Sequence, residues 1–196
     1  MIKLKSYFGL ALVISVLPIF MVTLFTCAPV QVKTYPGEAY PGKASFMKSY
    51  DATVSNWKSY EDLVRWMEKD FYFDLERYRK FEGTLPVPRS PEQTLQLKSG
   101  IHIDTAEFSK KTLDRINPSY KAQIVVVLIR PNIFNHYVCS LKIDGKLFIL
   151  DYGTPYKEIT GFHGPYQSLE GYKRFYEKHH PEKRHVEGIG YLPRTL

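Results

Sequence analysis

The chain has 196 residues, 44% hydrophobic and 24% charged, and its 15 Tyr and 12 Phe supply aromatic surface that excludes a disordered, collagen-like or coiled-coil protein. The net charge of +7 is mild and its basic residues are interleaved with acidic ones, as in Glu68-Lys69-Asp70 and Glu182-Lys183-Arg184, so no nucleic-acid partner is expected. Two cysteines, Cys27 and Cys139, exclude both a dense disulfide framework and a CxxC-paired zinc site.

From Tyr7 to Thr26 runs a largely apolar stretch behind Lys3 and Lys5. About 20 residues of helix cross a hydrocarbon core of ~30 Å, whereas a secretory signal has a shorter apolar region; either way the following chain is exported. Residues 1–27 are therefore expected to be a signal peptide or an amino-terminal membrane anchor, with the basic start left in the cytoplasm. Cys27 resembles the lipidated cysteine of bacterial lipoproteins, although Phe25 and Thr26 depart from the small residues usual before it. Residues 28–54 carry Tyr35-Pro36-Gly37 and Tyr40-Pro41-Gly42 with no sustained periodicity and read as a linker or arm; residues 55–196 form the folded domain.

Within that domain, apolar spacing predicts one helical segment over 55–81, broken by Gly83, Pro86 and Pro88. A short helix opens at Ser90-Pro91 and runs to Leu97, with Gly100 placed for a left-handed cap. A further helix spans His102–Ile116. The β-branched run Ala122–Arg130 predicts a strand covered on both faces. Strands Asn135–Ile143 and Lys146–Tyr152 flank Asp144-Gly145, a strong hairpin turn, and Ser168–Lys178 is a last helix. Helices first and an antiparallel sheet second make the fold class α+β.

The hairpin also points to chemistry. With Asp144-Gly145 as the turn, Ile143 faces Lys146, and counting outward brings His136 within one register step of Asp151. A carboxylate beside an imidazole fixes its tautomer and supports its charged form, the base-plus-orienter half of a nucleophilic triad. Cys139, three residues along the strand from His136, faces the other side and reads as a small buried hydrophobe.

Three stretches carry a family resemblance. Glu61–Asp74 resembles the leading helix of the transglutaminase-like superfamily, which includes bacterial cysteine proteases. Lys98-Ser99-Gly100-Ile101-His102-Ile103-Asp104-Thr105-Ala106 is similar to that family's Gly-x-Cys-x-Asp-x-Ala approach to its nucleophile. His136 and then Asp151 follow in the family's Cys, His, Asp order, 34 and 15 residues on. The resemblance covers about residues 55–178 and implies a papain-like core of helices packed on an antiparallel sheet. It also implies a triad at His102, His136 and Asp151, with His102 standing where the family has its cysteine.

A thiolate at a helix N-terminus is a nucleophile because the dipole and an imidazolium stabilise it. An imidazole there forms no thioester, and the same dipole keeps it neutral. The expectation is therefore a degenerate triad in an exported, membrane-anchored domain that acts as a binding or assembly module for a protein or peptide partner. The alternatives are a cysteine-type hydrolase of peptide or protein amides and a metal-dependent hydrolase using His102, His136 and Asp151 as a two-histidine, one-carboxylate set. No cofactor and no metal are expected under the leading reading. His179, His180 and His185 read as a solvated surface run. His163 reads as part of the site's rim, and Tyr152, Tyr156, Phe162 and Tyr166 as a recognition surface or as loop packing.

Overall fold

The computed structural model describes residues 49–84, 86–130 and 134–193. The expected anchor at Tyr7–Thr26, Cys27 and the expected linker up to residue 48 lie outside the described residues. Among the described residues no helix is long and apolar enough to cross a membrane.

The helical half comes first: α1 (Tyr50–Val54), α2 (Tyr60–Lys69), α3 (Leu75–Lys80), α4 (Pro91–Leu97) and α5 (His102–Ile116). Between them the short strands β1 (Tyr72–Phe73) and β2 (Ser99–Gly100) pair in parallel. The sheet half follows with β3 (Gln123–Arg130), β4 (Phe134–Ile143), β5 (Lys146–Asp151), β6 (Gly161–Tyr166) and β7 (His185–Tyr191); α6 (Leu169–His179) joins the last two strands. The five strands lie in the order β6-β5-β4-β3-β7, every neighbouring pair antiparallel, and the class is α+β.

Alternation along the strands gives the sheet two buried faces. Cys139, Leu141 and Leu150 join Leu63, Met67, Phe108 and Leu113 of the helical half. Val125, Val127, Val138 and Ile149 point the other way, onto Tyr172 and Tyr176 of α6. Phe108 is the hub of the first face: it is fully buried, with the rings of Trp66, Tyr50 and Trp57 centred 5.0, 6.0 and 6.5 Å away. At the β4–β5 turn Asp144 and Gly145 have φ of 51° and 76°, the left-handed pair a two-residue turn of this kind requires.

Several expectations change. The segment expected as one helix over 55–81 breaks at Asp70, because β1 must meet β2: Tyr72 N donates to Lys98 O at 2.8 Å and Asp74 N to Gly100 O at 3.0 Å. Burial of Phe71 and Phe73 drives that pairing, and Asp74 then caps α3 through Arg77 N at 2.9 Å. Lys98, not Gly100, takes the left-handed cap of α4, with φ of 50°. Gly100 is needed for space: a Cβ there would lie 2.8 Å from Asp104 Cβ. Tyr50–Val54, read as part of an arm, is a helix with Tyr50 and Val54 buried and the Tyr50 hydroxyl 3.1 Å from Thr112 Oγ1. Strand β3 is not covered on both faces throughout, since Leu128 is 40% exposed. Strands β6 and β7 were not expected; glycines at 161, 164, 188 and 190 and Pro165 hide them, and both are edge strands, where such residues are tolerated.

The start of α5 is held by a buried ionic cluster. Asp104 is fully buried and accepts four hydrogen bonds: Arg77 Nε at 2.8 Å, Arg77 Nη2 at 3.1 Å, Arg89 N at 2.8 Å and Ile101 N at 3.0 Å. Arg89 in turn pairs with Asp74 at 2.8 Å and donates to Ser99 O at 3.0 Å. Asp104→Ala strands the Arg77 head group and two backbone donors, and a cost of about 3–5 kcal/mol in urea denaturation is expected. A loss below about 1 kcal/mol would show that solvent replaces the carboxylate.

Candidate active site

His136 on β4 and Asp151 at the end of β5 meet as the hairpin register requires: His136 Nε2 donates to Asp151 Oδ2 at 2.8 Å. Both side chains are buried. The same oxygen accepts the Tyr172 hydroxyl at 2.7 Å. Burial, together with the Asp151 charge, pushes Tyr172 well above the ordinary tyrosine value, so its hydroxyl stays a donor. Asp151 Oδ1 is buried without a partner among the described residues. Helix α6 thus reaches under the sheet to hold the carboxylate that orients His136.

His102 is the first residue of α5 and completes the group. Its ring lies 5.7 Å from that of His136, edge on, and stacks on Tyr137 at 5.5 Å with an interplanar angle of 20°. Its backbone is seated against Gly153, two residues past the end of β5: a Cβ at that glycine would lie 2.2 Å from His102 Cα and 2.5 Å from His102 N. Burial first, then the neighbouring His136 and Arg77, push the His102 imidazole down to about 3, with Asp151 opposing. The ring is therefore neutral at physiological pH. Its Nδ1 is buried with no partner among the described residues.

The three residues do not converge on one point. His136 presents Nε2 to Asp151, so the carboxylate stands behind the ring that faces His102, the arrangement of an orienter and not of a shared metal site. Among the described residues no group of three or more His, Cys, Asp or Glu side chains could hold a metal ion. Cys139 is fully buried on the opposite face of the sheet, and burial pushes its thiol far above the ordinary value, so it offers no thiolate.

His102 and His136 line a cleft of about 240 Å³. Tyr78, Phe81, Glu82, Tyr156, Tyr176, His180 and Arg184 line it as well. His180 corrects the reading of the histidine run: it is 3% exposed, its ring centred 4.6 Å from Tyr156 and 5.1 Å from Tyr176. His185 is exposed and paired with Glu177 at 2.9 Å, as a surface residue should be. His163 is not on the rim; its Nε2 donates to Ile159 O at 2.8 Å and its ring packs on Phe175 at 4.5 Å. Of the four loop aromatics only Tyr156 reaches the cleft. Phe162 stacks between Tyr60 and Phe148, Tyr152 is buried in the helical core, and Tyr166 packs against Tyr172. Sequence reasoning missed Tyr172, Tyr176 and His180. The four-residue spacing of the two tyrosines and of Tyr176 with His180 marks one face of α6 and its cap, and was the available signal.

His102 gives the fold a pH signature. The unfolded chain binds a proton at His102 near 6.5 and the folded one only near 3, so stability is intact above about 6.5 and falls as pH drops from there toward 3. In His102→Phe, which keeps the stack on Tyr137, urea denaturation across that range should lose up to one proton of pH dependence. An unchanged profile would contradict a neutral, enclosed His102.

A family model for a transglutaminase-like domain matches residues 45–178, well over half of the chain. No curated protein matches it. With helices leading into an antiparallel sheet, the match has a structural counterpart, and the protein belongs to the transglutaminase-like domain family.

Proposed function

We propose that the protein is an exported, membrane-anchored transglutaminase-like module that binds a polypeptide partner in the cleft beside His102 and performs no cysteine-dependent acyl transfer. One observation carries the reading: an imidazole held neutral, and not a thiol, faces His136 from the head of α5. In this reading His102 stands at the family's nucleophile position. Acyl transfer there needs a thiolate that attacks a carbonyl carbon while the histidine manages the proton. A neutral imidazole with no charged partner of its own does not supply that step. The competing reading, a cysteine-dependent hydrolase of peptide amides, needs a thiol within reach of His136, and Cys139 is walled off behind the sheet. The aromatic walls of the cleft suit an extended polypeptide, which offers alternating carbonyls, amides and side chains to such a groove.

Two experiments test the proposal. The wild-type protein should release no product from peptide amides, esters or γ-glutamyl donors, and His102→Cys should gain weak turnover that iodoacetamide abolishes, since the His136–Asp151 pair is already in place. Wild-type turnover that disappears on alkylation or in Cys139→Ala would overturn it. For the anchor, the motive is the apolar stretch Tyr7–Thr26 behind Lys3 and Lys5. The full-length chain should stay with membranes through an alkaline carbonate wash, and recovery in the wash supernatant would rule out a retained span.

A further inference from the structure

The cleft that His102 lines also carries a hydrogen-bonding group of fixed sense. His180 caps the C-terminal end of α6, its backbone N–H donating to Tyr176 O at 2.8 Å. Its Nδ1 accepts the Glu182 N–H at 3.2 Å. A nitrogen that accepts a backbone N–H carries no proton, so in the neutral ring the proton sits on Nε2. Burial holds His180 below the ordinary histidine value, and the ring is neutral at physiological pH. The ring cannot turn over without losing the Glu182 bond, and Tyr156 and Tyr176 pack against it. Tyr156 is itself tied down, its hydroxyl donating to Glu182 Oε1 at 2.5 Å, while Arg184 Nε holds Glu182 Oε2 at 2.8 Å. No residue among those described accepts from Nε2.

We propose that His180 is a ligand-contacting residue, whose Nε2–H donates to a backbone carbonyl oxygen of a polypeptide lying in the cleft that His180 lines together with His102 and His136. The proposal rests on the polypeptide-binding reading above and adds to it the group that sets the register of the bound chain. An uncharged donor suits a carbonyl oxygen, because it asks for no counter-charge. The charged residues beside it, Glu182 and Arg184, already neutralise each other. A ring held from three sides loses little freedom on binding, which is the condition under which a single hydrogen bond adds to affinity.

The test has a part that needs no ligand and a part that does. Long-range nitrogen–proton NMR on the full-length chain should report the Nε2–H tautomer for His180; the Nδ1–H tautomer would overturn the proposal outright. Binding is then measured on an array of immobilised pentapeptides, acetylated at one end and amidated at the other. Relative to wild type, His180→Phe should weaken the peptides that bind by about tenfold, the effect of losing one well-placed hydrogen bond. His180→Gln, which keeps a donor at the position of Nε2, should stay within about threefold. His180→Phe binding as wild type does would overturn the role of His180 and leave the polypeptide reading standing. A wild-type protein that binds no pentapeptide would overturn that reading, and the role of His180 with it.

Discussion

The buried carboxylate of Asp104 is the constraint on which the site depends. It sits in the first turn of α5, where its charge suits the helix's partial positive end and it accepts from Ile101 N, and Arg89 N, from the segment before α4, donates to it as well. Two arginines from elsewhere in the chain, one on α3 and one before α4, converge on the same group or on its neighbour Asp74. The result is that three segments far apart in sequence share one ionic knot, and the head of α5 emerges from it at a defined point. Removing water from such charges is expensive, and only the completeness of the hydrogen bonding makes the knot stable. Arg77 also reaches electrostatically to His102, so the knot helps keep that imidazole uncharged.

The second organising group is Asp151. Its Oδ2 takes two donors from two elements, the His136 ring on β4 and the Tyr172 hydroxyl on α6. The helix that ends in His180 is therefore the same helix that steadies the His136–Asp151 pair. Family membership accounts for the layering of helices on an antiparallel sheet. In the cleft, imidazoles and tyrosines share the lining with Glu82, Glu182 and Arg184.

Much of this was legible in the sequence because the signals were local and strong. The His102–Ile116 helix, the Asp144-Gly145 turn and the His136–Asp151 neighbourhood follow from apolar spacing and from counting along a two-stranded register. What was not legible depended on distant partners. The break after Asp70 happens because two residues are needed to pair with Ser99–Gly100, and propensity alone does not announce this. Strands β6 and β7 carry glycines that weaken any strand pattern, and they exist because β5 and β3 offer open edges. His180 looked like one member of a charged surface run because its neighbours in sequence are charged, while its neighbours in space are two tyrosine rings. Tyr172 could be assigned to a helix face, but that the face lies under Asp151 required the connection from β6 into α6.

The contact between Gly153 and His102 separates two things that proteins usually couple. Because the glycine bears on the Cα and N of His102 and not on its ring, the backbone at the head of α5 is seated by a surface indifferent to which side chain grows from it. Position 102 is in effect a socket: the mounting is set by Gly153 behind and Asp104 within, and the fitting is free to change. Exchanging one head group for another alters the chemistry facing His136 while leaving the frame that presents it in register.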